Sequence, residues 1–265
     1  MKTAILLVAY GTSSPQGRGS LRQFDTWVRE RFPGLSVRWA LSSELLRDRL
    51  TRARQKNDSV LKALYRLRLE NFTHVAVQPL QIIPGSEHTD VRADADAAGR
   101  LDGLHVSLGA PLLAGEEDVR AAALAVLAHL PQDRLPDEDV VLMGHGSRKR
   151  ATDSYTALAE AVSALDGHVH VGTMSGALEL DALLPRLTSR RVWLMPLLSV
   201  VGRHTLEDMA GSAPDSWRAR IEAAGHACEP VVHGTAEYRA FAEIWLRHLE
   251  AAVAALPTVK KEGEK

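Results

Sequence analysis

Short apolar runs alternate along the chain with longer stretches in which apolar and charged residues recur at helical spacing. The runs predict buried strands at Ala4–Ala9, Val37–Leu41, His74–Pro79, Leu104–Gly109, Val140–Gly144, Val169–Met174, Arg191–Pro196 and Ala227–Val232. The clearest predicted helices between them are Gln23–Arg31, Glu44–Leu69, Glu117–Leu130, Ser154–Leu165, Leu206–Ala224 and Tyr238–Ala255. Strands that alternate with helices imply βαβ connections, and so an α/β fold with parallel sheets. No apolar run reaches the roughly 20 residues that a membrane-spanning helix needs. The amino-terminal run, Ala4 to Ala9, is too short for the apolar part of a secretion signal and reads as the first strand.

The pattern also repeats. Leu6-Leu7-Val8-Ala9-Tyr10-Gly11-Thr12 has the character of Val141-Leu142-Met143-Gly144-His145-Gly146-Ser147, and the offset of 135 from Tyr10 to His145 recurs from Glu44 to Glu179. Gln78-Pro79-Leu80 answers to Met195-Pro196-Leu197 and Gly85 to Gly202, now at an offset of 117, which matches Glu87 with His204. The first half therefore holds about 18 extra residues, which a long charged helix around Thr51 to Asn71 can accommodate. Two similar lobes follow, each a four-stranded parallel sheet flanked by helices: residues 1–132, then 133–258, with a polar tail at 259–265. Ligands of parallel sheets sit at the carboxyl ends of strands, so residues just after each strand, facing a cleft between the lobes, are the ones to test for chemistry.

Composition narrows the function classes. The 265 residues are 45% hydrophobic and 25% charged, a globular balance. With 32 basic and 33 acidic side chains and a net charge of -1, nothing draws the whole chain to nucleic acid or an anionic membrane, so an anionic ligand must be met by a local basic patch. The single cysteine, Cys228, leaves no intrachain disulfide and no thiolate metal cluster. The expected location is the cytoplasm.

Three candidates follow three successive strands of the second half. His145 stands between Gly144 and Gly146, where small neighbours let a ligand approach. His204 follows the loop Gly202-Arg203 and starts a helix carrying Glu207 and Asp208, a placement that favours the neutral, metal-ligating imidazole. Glu179 comes after Ser175-Gly176-Ala177-Leu178. Taken singly, each reads as a turn or helix-start residue. Together, two imidazoles and a carboxylate suit a borderline divalent ion with an open coordination position. The basic run Ser147-Arg148-Lys149-Arg150, with Arg203, can fork onto carboxylates. Tyr10, Ser13, Ser14, Glu87 and His88 are further candidates on the first-half side, and His233 is a weak one. The phosphate-loop lysine, the dinucleotide glycine pattern and the hydrolase nucleophile elbow are all absent, which removes the main support for NTPase, dehydrogenase and serine-hydrolase readings.

These stretches resemble the anaerobic sirohydrochlorin cobaltochelatases, a chelatase-superfamily group related in fold to class II ferrochelatases. The resemblance covers nearly the whole chain. It is carried by Val8-Ala9-Tyr10-Gly11-Thr12-Ser13, Ser42-Ser43-Glu44, Gln78-Pro79-Leu80 with Pro84-Gly85, Met143-Gly144-His145-Gly146, Glu179, and Met195-Pro196-Leu197 through Gly202-Arg203-His204-Thr205-Leu206-Glu207-Asp208-Met209-Ala210-Gly211. It implies a chelatase-like fold with the site between the lobes, and metal contacts and catalysis at His145, Glu179 and His204. Tyr10, Ser13, Ser14, Glu87, His88, Arg148, Arg150 and Arg203 would then contact the tetrapyrrole.

The implied activity is insertion of Co2+, a metal substrate, into sirohydrochlorin in anaerobic cobalamin biosynthesis, with no nucleotide or redox cofactor. His145 is the expected principal base. Affinity ranks Fe2+ below Co2+ for such a ligand set, but the same site could insert iron, so a sirohydrochlorin ferrochelatase stays open, as does homo-oligomerisation. The basic run and the 5% aromatic content argue against a protohaem ferrochelatase. A non-catalytic tetrapyrrole or metal carrier is the rival from another class.

Overall fold

The structure, a computed structural model, describes residues 2–146 and 153–257. Eight parallel strands form two sheets. The first contains β1 (Thr3–Ala9), β2 (Ser36–Leu41), β3 (His74–Pro79) and β4 (His105–Leu108) in the order β2-β1-β3-β4. The second contains β5 (Asp139–Gly144), β6 (Val169–Thr173), β7 (Arg191–Leu197) and β8 (Ala227–Pro230) in the order β6-β5-β7-β8. The orders are identical half for half, so the repeat in sequence is a repeat of topology. Central strands are covered on both faces, which is why they read as unbroken apolar runs. Ile5 pairs with Val37 on one side and Ala76 on the other, and Ala4 to Ala9 are wholly buried.

Helices cover the faces: α1 (Pro15–Arg31), α2 (Glu44–Arg52), α3 (Val60–Leu69), α4 (Ser86–Gly99), α5 (Glu116–Ala128), α6 (Asp153–Leu165), the single turn α7 (Leu180–Leu183), α8 (Trp217–Ala223) and α9 (Arg239–Ala254). Two predicted helices are each divided. Glu44–Leu69 becomes α2 and α3, because the chain turns at Arg54 with a φ of 61° and Ser59 caps a new start. Leu206–Ala224 becomes a π-helix, His204–Met209, followed by α8, which Ser216 caps. α1 begins before the predicted Gln23, since Ser14 caps it and Pro15 fits its first turn. α4 lies outside the clearest predicted helices because its buried face is His88, Val91, Ala95 and Ala98, a weak apolar stripe.

The outer face of each sheet has its own core, the first around Leu64, Val77 and Val91, the second around Met143, Leu194 and Trp217. The inner faces share one core that runs from Ile5 and Leu7 through Trp245 to Leu142 and Val171. α9 makes this continuity. It follows the second sheet in sequence yet lies against the first: Trp245 is fully buried edge-on to Phe24 at 6.0 Å, its indole N–H donates to the Gln81 carbonyl at 3.3 Å, and the Ser107 hydroxyl donates to the Ala252 carbonyl at 2.6 Å. Arg31 adds ion pairs to Glu243 (2.8 Å) and Glu250 (2.6 Å). Among the described residues no helix is long and apolar enough to cross a membrane.

Candidate active site

A cavity of about 800 Å³ opens where the carboxyl ends of both sheets meet. The segments after β1, β2 and β3 supply Tyr10 to Ser13, Ser43 and Leu80 to Ile83, and those after β5, β6 and β7 supply His145, Ser175 and Leu198 to Val200. The helix starts that follow β3 and β7 add Glu87 and His204.

His145 is fixed by its glycines. A Cβ at Gly144 would lie 2.5 Å from the ring of Tyr155, and one at Gly146, where φ is +78°, would lie 1.9 Å from the carbonyl oxygen of Ser175. Only glycine lets the chain turn here with Tyr155 packed beneath it. Burial pushes the Tyr155 phenol well above its ordinary pKa, against a smaller lowering by the backbone amides of Gly146 and His145 that bond it. It remains a neutral prop under the imidazole loop.

His204 opens the π-helix, a wide turn that is common at functional sites. Its Nδ1 is 2.5 Å from Asp208 Oδ2. A carboxylate there holds the proton on Nδ1 and leaves Nε2 with a free lone pair, the arrangement usual for a metal-ligating histidine. The rings of His204 and His145 stand 5.2 Å apart at 79°. The Nδ1 of His145 has a longer contact, 3.3 Å, to the Gly146 carbonyl.

The carboxylate that faces this pair is Glu87, in the first turn of α4. Burial pushes its pKa up, and the charges of His145 and His204 act in the opposite sense. Glu179 lies elsewhere. The loop before it closes on itself through Thr173 N–H to the Leu178 carbonyl (2.7 Å), and Glu179 is an exposed residue at the start of α7, outside the cavity lining. Among the described residues no three His, Cys, Asp or Glu side chains draw close enough to hold a metal ion as they stand, so the imidazoles and Glu87 form an open set.

The other sequence candidates divide. Tyr10, Ser13 and Arg203 line the cavity, Arg203 with its Nε bonded to Glu207 at 2.8 Å. Ser14 commits its hydroxyl to the Gly17 N–H, and His88 is buried with Nε2 3.3 Å from Arg92. His233 pairs with Glu237 at 2.8 Å away from the cavity lining. Arg148 and Arg150 lie outside the described residues. Sequence reasoning missed Tyr155, Arg49 and Gln81. The side-chain amide of Gln81, like the hydroxyl of Thr205, is buried beside the cavity without a partner. Asp208 was legible as a helix residue four positions after His204, the spacing that brings side chains together.

Two matching sheets with paired histidines at their carboxyl-end cleft describe the two-lobed metal chelatases. The same fold is seen in SirB from Bacillus subtilis with Fe3+ (TM-score 0.66, 16% identity, 96% of each chain covered) and in the sirohydrochlorin chelatase SirB from Bacillus subtilis subspecies spizizenii in complex with cobalt (TM-score 0.65, 17% identity, 96% of this chain and 97% of that one).

Sequence narrows the class. Residues 3–254 match the family described as Cobalt chelatase (CbiK). A sirohydrochlorin cobaltochelatase of Nitratidesulfovibrio vulgaris is 57% identical over 259 residues, covering 96% of this chain and 92% of that one. A sirohydrochlorin cobaltochelatase of Salmonella typhimurium is 30% identical over 261 residues, covering 96% and 97%. The chain belongs to the CbiK cobalt chelatase family.

Proposed function

We propose that the protein inserts Co2+ into sirohydrochlorin, with both the metal and the macrocycle bound in the cavity between the sheets. The observation that carries this reading is the pair His145 and His204, 5.2 Å apart, with Glu87 facing them from the other half. Insertion requires a metal held loosely enough to leave, a ring held so that its nitrogen lone pairs reach the metal, and a base for the pyrrole protons that must depart.

His204, oriented by Asp208, is the fixed metal ligand. Among the described residues His145 has no carboxylate partner, and it is free both to share the ion and to accept a proton as the metal passes to the ring. Glu87 supplies the negative charge of the set, the role expected of Glu179 from the sequence. A pocket of about 800 Å³ falls within the range of cofactor-sized sites.

The test is sirohydrochlorin absorbance with Co2+ and catalytic amounts of protein. Wild type is expected to convert many equivalents, and His145→Ala to slow conversion about 100-fold or more, as loss of a positioned base does. A spectrum that changes only in proportion to the protein added would mean a carrier and overturn the enzyme reading. Fe2+ in parallel measures how far the open site discriminates between the two metals.

A further inference from the structure

The imidazoles and Glu87 account for the metal, but they leave the rim of a carboxylate-bearing macrocycle unheld. Among the described residues, the charged and imidazole side chains that line the cavity are Arg49, Glu87, His145, Arg203 and His204. Arg203 is neutralised by Glu207 at 2.8 Å. On α2, Arg47 is committed to the backbone, donating to the carbonyls of Leu41 at 2.6 Å and Ser42 at 2.9 Å. Arg49 differs from both. It is exposed and lines the cavity, and among the described residues its guanidinium has no hydrogen bond or ion pair.

One helical turn earlier stands Leu45, which also lines the cavity and is 80% exposed, a costly position for a leucine with nothing to cover it. Residues four apart share one helix face. The turn is held in place by Ser43, whose hydroxyl accepts from the Leu46 N–H, and by the two carbonyl bonds of Arg47. A rigid helix start thus presents an apolar side chain and an unpaired guanidinium side by side to the cavity.

We propose that this Leu45–Arg49 face seats one edge of the tetrapyrrole: Arg49 forks onto a peripheral carboxylate and Leu45 lies against the apolar ring margin. The inference rests on the proposed substrate and adds its anchor. A guanidinium–carboxylate fork is directional as well as charged, so it fixes how far the ring reaches toward the imidazoles.

The experiment measures binding apart from turnover. Sirohydrochlorin and its fully esterified form are titrated, without metal, into wild type, Arg49→Gln, Arg49→Lys and Leu45→Ser, and steady-state Co2+ insertion is measured on the same proteins. Arg49→Gln is expected to raise the Kd for the free acid, and KM with it, about tenfold while kcat changes less than about twofold, the effect of removing one charge-assisted hydrogen-bonded pair. The ester should bind wild type and Arg49→Gln equally. Arg49→Lys should recover part of the loss, and Leu45→Ser should weaken acid and ester alike. Equal affinity of wild type and Arg49→Gln for the free acid overturns the anchor. Arg49-dependent binding without turnover in wild type would sink the chelatase reading and leave the anchor standing, whereas a wild type that binds no tetrapyrrole overturns both.

Discussion

At the scale of single residues, the site contains a conflict that function explains better than stability does. Glu87 is a carboxylate held in a partly buried place, and burial lifts its pKa. An acid whose pKa is raised on folding contributes most below its ordinary value, and that contribution is lost as pH rises through the folded value. Glu87→Gln should therefore raise the Tm of the metal-free protein at pH 7 to 8, with the gap to wild type closing in acid, while Co2+ insertion falls by about 10- to 100-fold. Glu179→Gln, on an exposed helix start, should stay within about twofold of wild type. Thermal melts with and without Co2+, read beside initial rates, check both.

The sequence exposed His145 through its glycine neighbours and Glu87 through its repeat match to His204. Tyr155 and Arg49 stayed hidden because nothing local marks them; they matter only through which loop or cavity the fold sets beside them.

At the scale of elements, strands were readable and helix limits were not. A central parallel strand must be apolar on both faces, and that writes an unbroken run into the sequence. A helix boundary depends on a single cap or a turn, as at Ser59, at Ser216 and at Arg54, whose positive φ is unusual for a residue with a side chain.

The second sheet has its own fastening at the end away from the cavity. Asp139, the buried first residue of β5, accepts from the N–H groups of Thr188 at 2.7 Å and Ser189 at 2.8 Å and from His168 and His170, both at 3.1 Å. Burial alone would raise its pKa, but these donors outweigh burial and hold the carboxyl well below its ordinary range. A depressed carboxyl stabilises the fold above its unfolded pKa, about 3.9 for Asp, and that stability drains away as pH falls below it. Asp139→Asn should cost about 2–4 kcal/mol at pH 7, and only somewhat less near pH 3, where the unfolded carboxyl is largely protonated but the folded one is still ionised. Urea denaturation at the two pH values separates this from a simple packing defect.

At the scale of the whole molecule, the repeat predicted two lobes but gave no sign that they share a core. That follows from α9, whose amphipathic pattern shows which side is apolar but not which sheet it will meet. Trp245→Ala should destabilise the protein by about 3–5 kcal/mol, as loss of a fully buried large aromatic does. It should lower a single unfolding transition, since the inner faces of both sheets melt together. Two separate transitions in calorimetry would show that the halves stand independently.

The crossing of α9 also limits what the cavity can do. The buried Thr12 hydroxyl donates to the Val201 carbonyl at 2.7 Å, and Ser20 donates to Glu237 at 2.9 Å, so the halves are tied near the cavity as well as along α9. Jaws tied in this way behave as a vice of set gauge. On the proposed function, a flat ring admitted to it would have to accommodate the walls, and a small departure from planarity would turn the inner nitrogens toward an ion on one side. The stiffness that the shared core gives the protein would be, for such a guest, a bending load.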